Sequence, residues 1–280
     1  MAVHESTSLR PRAGSSAKSV LLTILGELVL PRSGTAWTRS LVDALALLGV
    51  EEKNARQALS RLAGQGYLES ERHGRRVRWR LSAAGRTLLT VGTERIYSFG
   101  LPSMGWDGRW VVVLCPVPED QRAKRHQLRS RLAFAGFGFL GPATAIAPHA
   151  DREAVASAVL TELELTDGAA VFRAEAGDLV PAEELLHRAW DLDGLAASYR
   201  ELMVGFGGRS PRTDDGRLAA LVALVHEWRR FPFVDPEIPA QLLPPNWIGY
   251  RAKAFFDDRH ARWSPGATAA FARLEADSEI

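Results

Sequence analysis

The first third of the chain shows apolar positions at helical spacing, followed by two short stretches typical of strands. Apolar residues recur at this spacing in residues 17–30, 37–48 and 51–64, with Pro31 and Gly49 at the breaks. Beyond the glycines that end the third helix, residues 68–80 fit two strands joined by a tight turn. This order predicts a winged helix-turn-helix domain, which we assign to residues 17–95.

The predicted third helix has one apolar face and one polar face. Ala55, Ala58, Leu59 and Leu62 are expected to face the core, because they follow the i, i+3, i+4, i+7 pattern. The other side carries groups that suit nucleic acid, since Asn and Gln match adenine while Lys and Arg match guanine or phosphate. The predicted DNA-binding residues of this helix are Lys53, Asn54, Arg56, Gln57, Ser60 and Arg61. For Arg56 an ion pair with Glu52, four residues earlier, is the structural alternative.

The predicted hairpin carries arginines whose roles differ with their distance from the turn. A two-residue turn at His73-Gly74 pairs Glu71 with Arg76 and Glu69 with Arg78, so these two arginines have structural alternatives as ion-pair partners. The same turn places Arg72 opposite Arg75, and facing like charges are unfavourable unless an anion lies between them. We therefore predict phosphate or minor-groove contacts at this wing. The residues are Arg72, His73, Arg75 and Arg76.

The charge of the chain is distributed unevenly. Residues 1–95 hold 15 Lys/Arg and 8 Asp/Glu, a net of +7, whereas residues 96–280 hold 20 and 25, a net of −5; together they give +2. A basic first third indicates a polyanionic partner such as double-stranded DNA, although chance clustering gives the same counts. The apolar share of 46% and the charged share of 24% are typical of soluble globular proteins.

The N-terminal residues, the length of the apolar runs and the cysteine content are all consistent with a cytoplasmic protein. Residues 1–16 are polar, lack the apolar stretch of a secretory signal, and are predicted to be a disordered tail. No apolar run approaches the ~18–20 residues of a membrane span, so no membrane partner is expected. Cys115 is the only cysteine, which excludes an intrachain disulfide.

The rest of the chain predicts two further domains, which make the fold class α+β. Residues 106–177 have the element order of a ferredoxin-like fold, and residues 178–280 are mostly helical. Residues 136–141 match the pattern G-x-G-x-x-G, but a helix precedes them and Pro142 follows. We therefore favour strand glycines over a dinucleotide-binding loop.

Three segments resemble PaaX-type repressors, the regulators of phenylacetic acid degradation. They are WTRSLVDALALLGVEEKNARQALSRLAGQGYLESERHGRRVRWRLSAAGRTLL, WDGRWVVVL at 106–114 and WRRFPFVDPEIPAQLLPPNW at 228–247. The resemblance covers about residues 17–260. It implies a cytoplasmic homodimeric repressor that is released from its operator by an aryl-CoA thioester such as phenylacetyl-CoA.

The resemblance also implies a middle domain that looks like the small ferredoxin-like nuclease of CRISPR adaptation. That nuclease holds a metal with an acidic residue at the end of its first strand. Here Cys115 and Pro116 occupy the corresponding positions, with Glu119 and Asp120 already at the start of the helix. We therefore expect the nuclease chemistry to be absent and the domain to dimerise or to sense a ligand.

Two stretches are candidates for an acyl-CoA effector site. Aromatic side chains at 228–247 suit an aryl group, while arginines there and on the predicted helix 119–135 suit the CoA phosphates. The candidates are Trp228, Arg229, Arg230, Phe231, Trp247, Arg125 and Arg129. Loop packing, capping of a helix end and a solvated helix face are the structural alternatives.

No catalytic residue, metal ligand or cofactor is predicted. His226-Glu227 begins a zinc-protease pattern, but Arg230 stands where that pattern needs its second histidine. An effector-responsive transcriptional repressor is the favoured function. The alternative is a metal-dependent nuclease built on the ferredoxin-like domain, with the winged helix as its DNA-targeting device.

Overall fold

A computed structural model describes residues 16–101 and 105–279, which form two compact units. The first unit combines the described residues up to Phe99 with Leu202–Arg229 and the described residues from Ala254 onward; the second combines Gly100–Glu201 with Arg230–Lys253. Apart from Ser16, the predicted disordered tail lies outside the described residues. The domain boundaries drawn from the sequence stay a prediction, because these units follow spatial contacts rather than chain order.

Four helices of the first unit lie before residue 100. They are α1 (Ala17–Ile24), α2 (Thr38–Ala46), α3 (Glu52–Gly64) and α4 (Ala83–Ser98), with a π-helical turn at Leu25–Val29 after α1. The apolar stripe predicted for the first helix is buried, with Val20, Leu21, Ile24, Leu25 and Leu28 at most 2% exposed. Ser82 caps α4, since its hydroxyl accepts a hydrogen bond from the Gly85 N–H.

A small antiparallel sheet accompanies these helices. Its strands are β1 (Thr35–Trp37), β2 (Leu68–His73) and β3 (Arg76–Leu81), in the order β1-β3-β2. Helix–turn–helix followed by this hairpin is the element order of a winged helix-turn-helix. Strand β1 carried no sequence signal, because three residues are too few to show an alternating pattern.

The hairpin register predicted from the sequence was wrong. The two turn residues are Gly74 and Arg75, so Glu69 lies opposite Arg80, Glu71 opposite Arg78 and His73 opposite Arg76. Gly74 has a φ of +63°, whereas Arg75 is not among the residues with positive φ. A positive φ at only the first central position is the arrangement of a type II′ turn, which favours glycine there.

The second unit contains a four-stranded antiparallel sheet covered by helices. Its strands are β4 (Arg109–Leu114), β5 (Gly138–Phe139), β6 (Thr144–Ala147) and β7 (Ala170–Glu175), in the order β5-β6-β4-β7. Between them lie α5 (Arg122–Phe134) and α6 (Arg152–Glu162). Alternate residues of β4, such as Val111 and Val113, pack on Leu128 and Leu132 of α5 and Val159 of α6. This is the ferredoxin-like order predicted from the sequence.

Two glycines of the 136–141 segment have structural roles. Gly138 lies in β5, and a Cβ atom there would fall 2.5 Å from the indole of Trp190. Gly136 has a φ of +86° in the turn after α5. Close packing and turn geometry therefore account for these two glycines.

Helices dominate the remainder of the chain. They are α7 (Ala182–Ala189), α8 (Leu192–Gly207), α9 (Asp214–Trp228) and α10 (Ile248–Asp277). Residues 218–225 of α9 are buried on every side of the helix. Among the described residues no helix combines the length and the apolar character required to span a bilayer.

Candidate nucleic-acid interface

Helix α3 separates core and surface residues as its sequence predicts. Ala55, Ala58, Leu59 and Leu62 are at most 2% exposed, and the helix packs against α1 and α2. Gly49 lies in the turn before α3, and its φ of +77° is a backbone angle that favours glycine. All of the proposed base-reading and phosphate-binding positions are exposed on the other side: Lys53, Asn54, Arg56, Gln57, Ser60 and Arg61.

Arg56 makes the ion pair that its spacing from Glu52 suggests. Its guanidinium lies 2.8 Å from the Glu52 carboxylate, and the two side chains are 57% and 60% exposed. Exposed pairs of this kind contribute only about 0.3–0.5 kcal/mol. Breaking the pair so that Arg56 binds a phosphate therefore costs little free energy.

The tip of the wing is exposed and basic. Arg72 and Arg75 are both exposed, and neither side chain forms a hydrogen bond or an ion pair with another described residue. His73 beside them is 48% exposed, with its ring edge-on to Trp37 at a centroid distance of 5.3 Å. The corrected register places Arg75 within the turn, where it no longer faces Arg72.

Arg76 and Arg78 lie in β3, Arg76 directly after the turn and Arg78 opposite Trp37. Each guanidinium carbon lies 5.3 Å from the centroid of the Trp37 indole. Arg76 also donates a 3.1 Å hydrogen bond to the Ser278 carbonyl. This bond joins the wing to the residue after α10, and the DNA contact of Arg76, whose side chain is exposed, stays a prediction.

Sequence reasoning missed Arg80 because of the register error. Arg80 lies 2.5 Å from the Glu69 carboxylate and 3.0 Å from that of Glu71. One arginine thus holds both acidic side chains of the wing, and the ion pair predicted between Glu69 and Arg78 is not formed. The correct choice of turn residues would have revealed Arg80 as the partner.

The residues at the end of β4 offer little to a metal ion. Cys115 is buried, and burial raises the pKa of its thiol. Glu119 and Asp120 are exposed at the start of the following helix. Within residues 16–101 and 105–279, no group of three or more His, Cys, Asp or Glu side chains is arranged to hold a metal.

Three consecutive segments match models of one protein family. Residues 16–85 match the model described as PaaX-like protein, residues 103–186 the PaaX protein central Cas2-like domain, and residues 190–273 the PaaX-like protein C-terminal domain. The chain belongs to the PaaX-like family.

One curated member of the PaaX-like family and one solved structure are similar over most of the chain. The transcriptional repressor PaaX of Escherichia coli (strain K12) is 28% identical over 265 residues, which cover 91% of this chain and 82% of that protein. The uncharacterized protein Rv0674 from Mycobacterium tuberculosis has the same fold, with a TM-score of 0.63 at 24% identity, over 91% of this chain and 98% of its own.

The aromatic candidates for an effector site are packed into cores. In the first unit, Trp228 is fully buried, stacks on Phe256 at a centroid distance of 4.7 Å and donates a hydrogen bond to the Ile96 carbonyl. In the second unit, Phe231 is fully buried and stacks on Tyr199 at 4.2 Å. Trp247, 9% exposed, meets the same tyrosine edge-on. These contacts match the packing alternative rather than an open aryl pocket.

The arginine candidates have defined contacts as well. Arg229 donates hydrogen bonds to the Ser19 carbonyl and to the Ser19 and Thr23 hydroxyls, and burial lowers the pKa of its guanidinium. Arg230 lies 5.2 Å from the Phe231 ring centroid. On α5, Arg125 donates to the Val117 and Pro118 carbonyls, and Arg129 lies 4.0 Å over the Phe139 ring.

Proposed function

We propose that this protein is a cytoplasmic transcriptional repressor that binds double-stranded operator DNA through α3 and the wing. One observation carries the proposal: α3 exposes six side chains able to bind bases or phosphates, beside a wing tip with two arginines that have no partner among the described residues. The E. coli relative's name, transcriptional repressor PaaX, supports the same function.

The proposed contacts divide into two groups by chemistry. Asn54 and Gln57 are assigned to adenine edges, and Lys53 to guanine or phosphate, because their amide and ammonium groups match those donors and acceptors. Arg72 and Arg75 are assigned to backbone phosphates, which fix the position of the protein without reading sequence. The net charge of +7 over residues 1–95 favours the approach of DNA.

We propose that an acyl-CoA thioester, such as phenylacetyl-CoA, releases the repressor from its operator. The resemblance to regulators of phenylacetic acid degradation suggests this ligand. Such a ligand acts only through a difference in affinity between the DNA-binding and non-binding arrangements, so operator DNA must weaken its binding by the same factor. Trp228 and Phe231 are fully buried. An aryl group could therefore contact either ring only after the side chains packed around that ring move apart.

A panel of acyl-CoA thioesters, titrated with and without operator, tests the effector. Phenylacetyl-CoA is expected to bind more weakly when operator is present, and free phenylacetate to bind poorly because it lacks the CoA phosphates. Equal affinity for phenylacetyl-CoA in both titrations would exclude it as the inducer.

The protein is further proposed to act as a homodimer. On the central sheet, Leu114 and Phe172 are 40% and 49% exposed, on the face opposite to Val111 and Val113. A second copy would cover such apolar side chains, as subunit interfaces commonly do. Sedimentation of the wild type and of Phe172→Glu tests this: a dimer that becomes a monomer is expected, and a monomeric wild type would refute it.

Incubation of labelled DNA with the protein separates the repressor from a nuclease. With Mg²⁺ or Mn²⁺ present, the repressor is expected to shift the mobility of the DNA and to release it intact at high salt. Cleaved DNA would instead support a metal-dependent nuclease built on the ferredoxin-like sheet. A protein that neither shifts nor cleaves DNA would contradict both functions.

A further inference from the structure

A cavity in the first unit is surrounded by arginines that the proposed DNA interface does not use. It has a volume of about 310 Å³, at the lower end of the range of small-molecule sites. Four guanidinium groups line it, together with the buried indole of Trp263. They belong to Arg209, Arg217, Arg259 and Arg262.

Two of these arginines carry buried donors with no acceptor in the described part of the chain. They are Nη1 of Arg209 and Nε of Arg259. Buried polar groups in native proteins nearly always have a partner, and charged donors lose the most when they have none. These two atoms are too buried for a ligand in the cavity to reach, and each guanidinium lies over an aromatic ring, Arg209 over Phe206 at 4.5 Å and Arg259 over Phe255 at 5.2 Å. A ligand would use the other N–H groups of these two arginines.

The positive charge at the cavity is only partly balanced. Arg217 pairs with Asp214 at 2.6 Å, and Arg262 pairs with Asp258 at 3.2 Å. The hydrogen bonds formed by Arg209 and Arg259 go to neutral backbone carbonyls, those of Gly205 and Gly207. Burial also lowers the pKa of the Arg209 guanidinium. Two positive charges are therefore left without a carboxylate from the described residues.

Two prolines and a glycine line the cavity beside the arginines. Pro211 lies in the loop between α8 and α9, and Pro265 lies inside α10, so both restrict the backbone around the arginines. Gly266 lines the same wall, and a Cβ atom there would collide with Cδ of Arg217.

We propose that this cavity binds the phosphoryl group of a small anionic ligand. Guanidinium groups match phosphate with N–H donors, and a phosphate in the cavity would accept hydrogen bonds from those N–H groups of Arg209 and Arg259 that are neither buried nor bonded to the chain. Two positive charges that the described carboxylates leave unbalanced suit a dianion such as a phosphate monoester. The inference does not depend on the proposed DNA contacts, since none of their residues lines the cavity.

Calorimetry with pyrophosphate at constant ionic strength tests the site in the full chain. We expect one pyrophosphate per chain, and binding at least about tenfold weaker in Arg209→Gln/Arg259→Gln, because charge-assisted hydrogen bonds are lost. Arg212→Gln combined with Arg251→Gln is the matched control: it removes the same two positive charges from exposed residues outside the cavity lining, and is expected to change affinity less than about twofold. If the double variant fails to fold, Arg262→Gln, whose side chain is 61% exposed, replaces it.

A second titration, with adenosine 5′-diphosphate, identifies the source of the phosphoryl group. Tighter binding than pyrophosphate supports a nucleotide-like ligand, and equal binding supports an inorganic anion in the same site. If neither binds, or if the cavity variants bind both as well as wild type does, the proposal is wrong. It is also wrong if the double variant loses affinity only for DNA, because these arginines would then serve the nucleic acid.

Discussion

The backbone N–H of Trp37 donates a 3.0 Å hydrogen bond to the carboxylate of Glu275. Trp37 ends β1 and immediately precedes α2, whereas Glu275 lies in the last turn of α10, more than two hundred residues later. The indole of the same tryptophan supports Arg76 and Arg78. The last turn of α10 is therefore connected through Trp37 to strand β3 of the wing.

Removal of this carboxylate should destabilise the first unit. Glu275→Ala leaves a partly buried N–H without its charged acceptor, and we expect a loss of about 1–2 kcal/mol in the free energy of unfolding. Urea denaturation measures it, with Asp277→Ala, an exposed acidic residue in the same turn, as the control. Equal stability of the two variants would show that the contact contributes nothing.

The apolar face of α3 could be predicted, but the register of the hairpin could not. Ala55, Ala58 and Leu62 repeat with the helical period, so their burial follows from spacing alone. Both His73-Gly74 and Gly74-Arg75 fit a two-residue turn. The two turns differ in whether Gly74, with its positive φ, is the second or the first central residue. A sequence contains no direct record of that backbone angle.

The aromatic stretch after α9 illustrates a second limit of the sequence. Trp228 and Phe231 lie beside arginines, and this composition is compatible with both a ligand pocket and a packed core. Tertiary contacts decide between them: Phe256 stacks on Trp228, and Tyr199 stacks on Phe231. Neither partner is close in sequence, so local patterning could not reveal the burial.

The wing tip should contribute affinity without specificity. Arg72→Ala combined with Arg75→Ala is expected to weaken binding to all DNA sequences and to flatten the salt dependence by ~0.9 log units for each phosphate that is no longer neutralised. Fluorescence anisotropy at several salt concentrations gives the slope. Arg80→Ala is the control, since Glu69 and Glu71 already hold this arginine. An unchanged slope in the double variant would remove the wing tip from the interface.

His226 should make the stability of the protein depend on pH. Burial, reinforced by nearby Arg229, lowers the pKa of His226 from 6.5 to about 4. The unfolded chain therefore binds a proton at a higher pH than the folded protein does, and stability falls as the pH drops from 6.5 towards 4. Between pH 7 and pH 5 we expect a loss of about 2 kcal/mol from this group.

His226→Gln isolates that contribution from the titration of carboxylates. Glutamine retains a polar atom for the Thr23 hydroxyl, which lies 3.2 Å from Nδ1 of His226, but does not titrate. Urea unfolding at pH 7 and pH 5 should show a smaller loss of stability in the variant. An equal loss in both proteins would mean that His226 is not the group responsible.

Discrimination between operator and random DNA tests most directly the claim that α3 reads bases. A duplex selected by the wild type from random sequence serves as the operator, and anisotropy measures its affinity against a scrambled duplex for the wild type, Gln57→Ala and the control Gln65→Ala. The account predicts that Gln57→Ala loses roughly 1–3 kcal/mol of discrimination while Gln65→Ala keeps it, because a bidentate base contact is removed. An equal loss of affinity for both duplexes, or none, would contradict it.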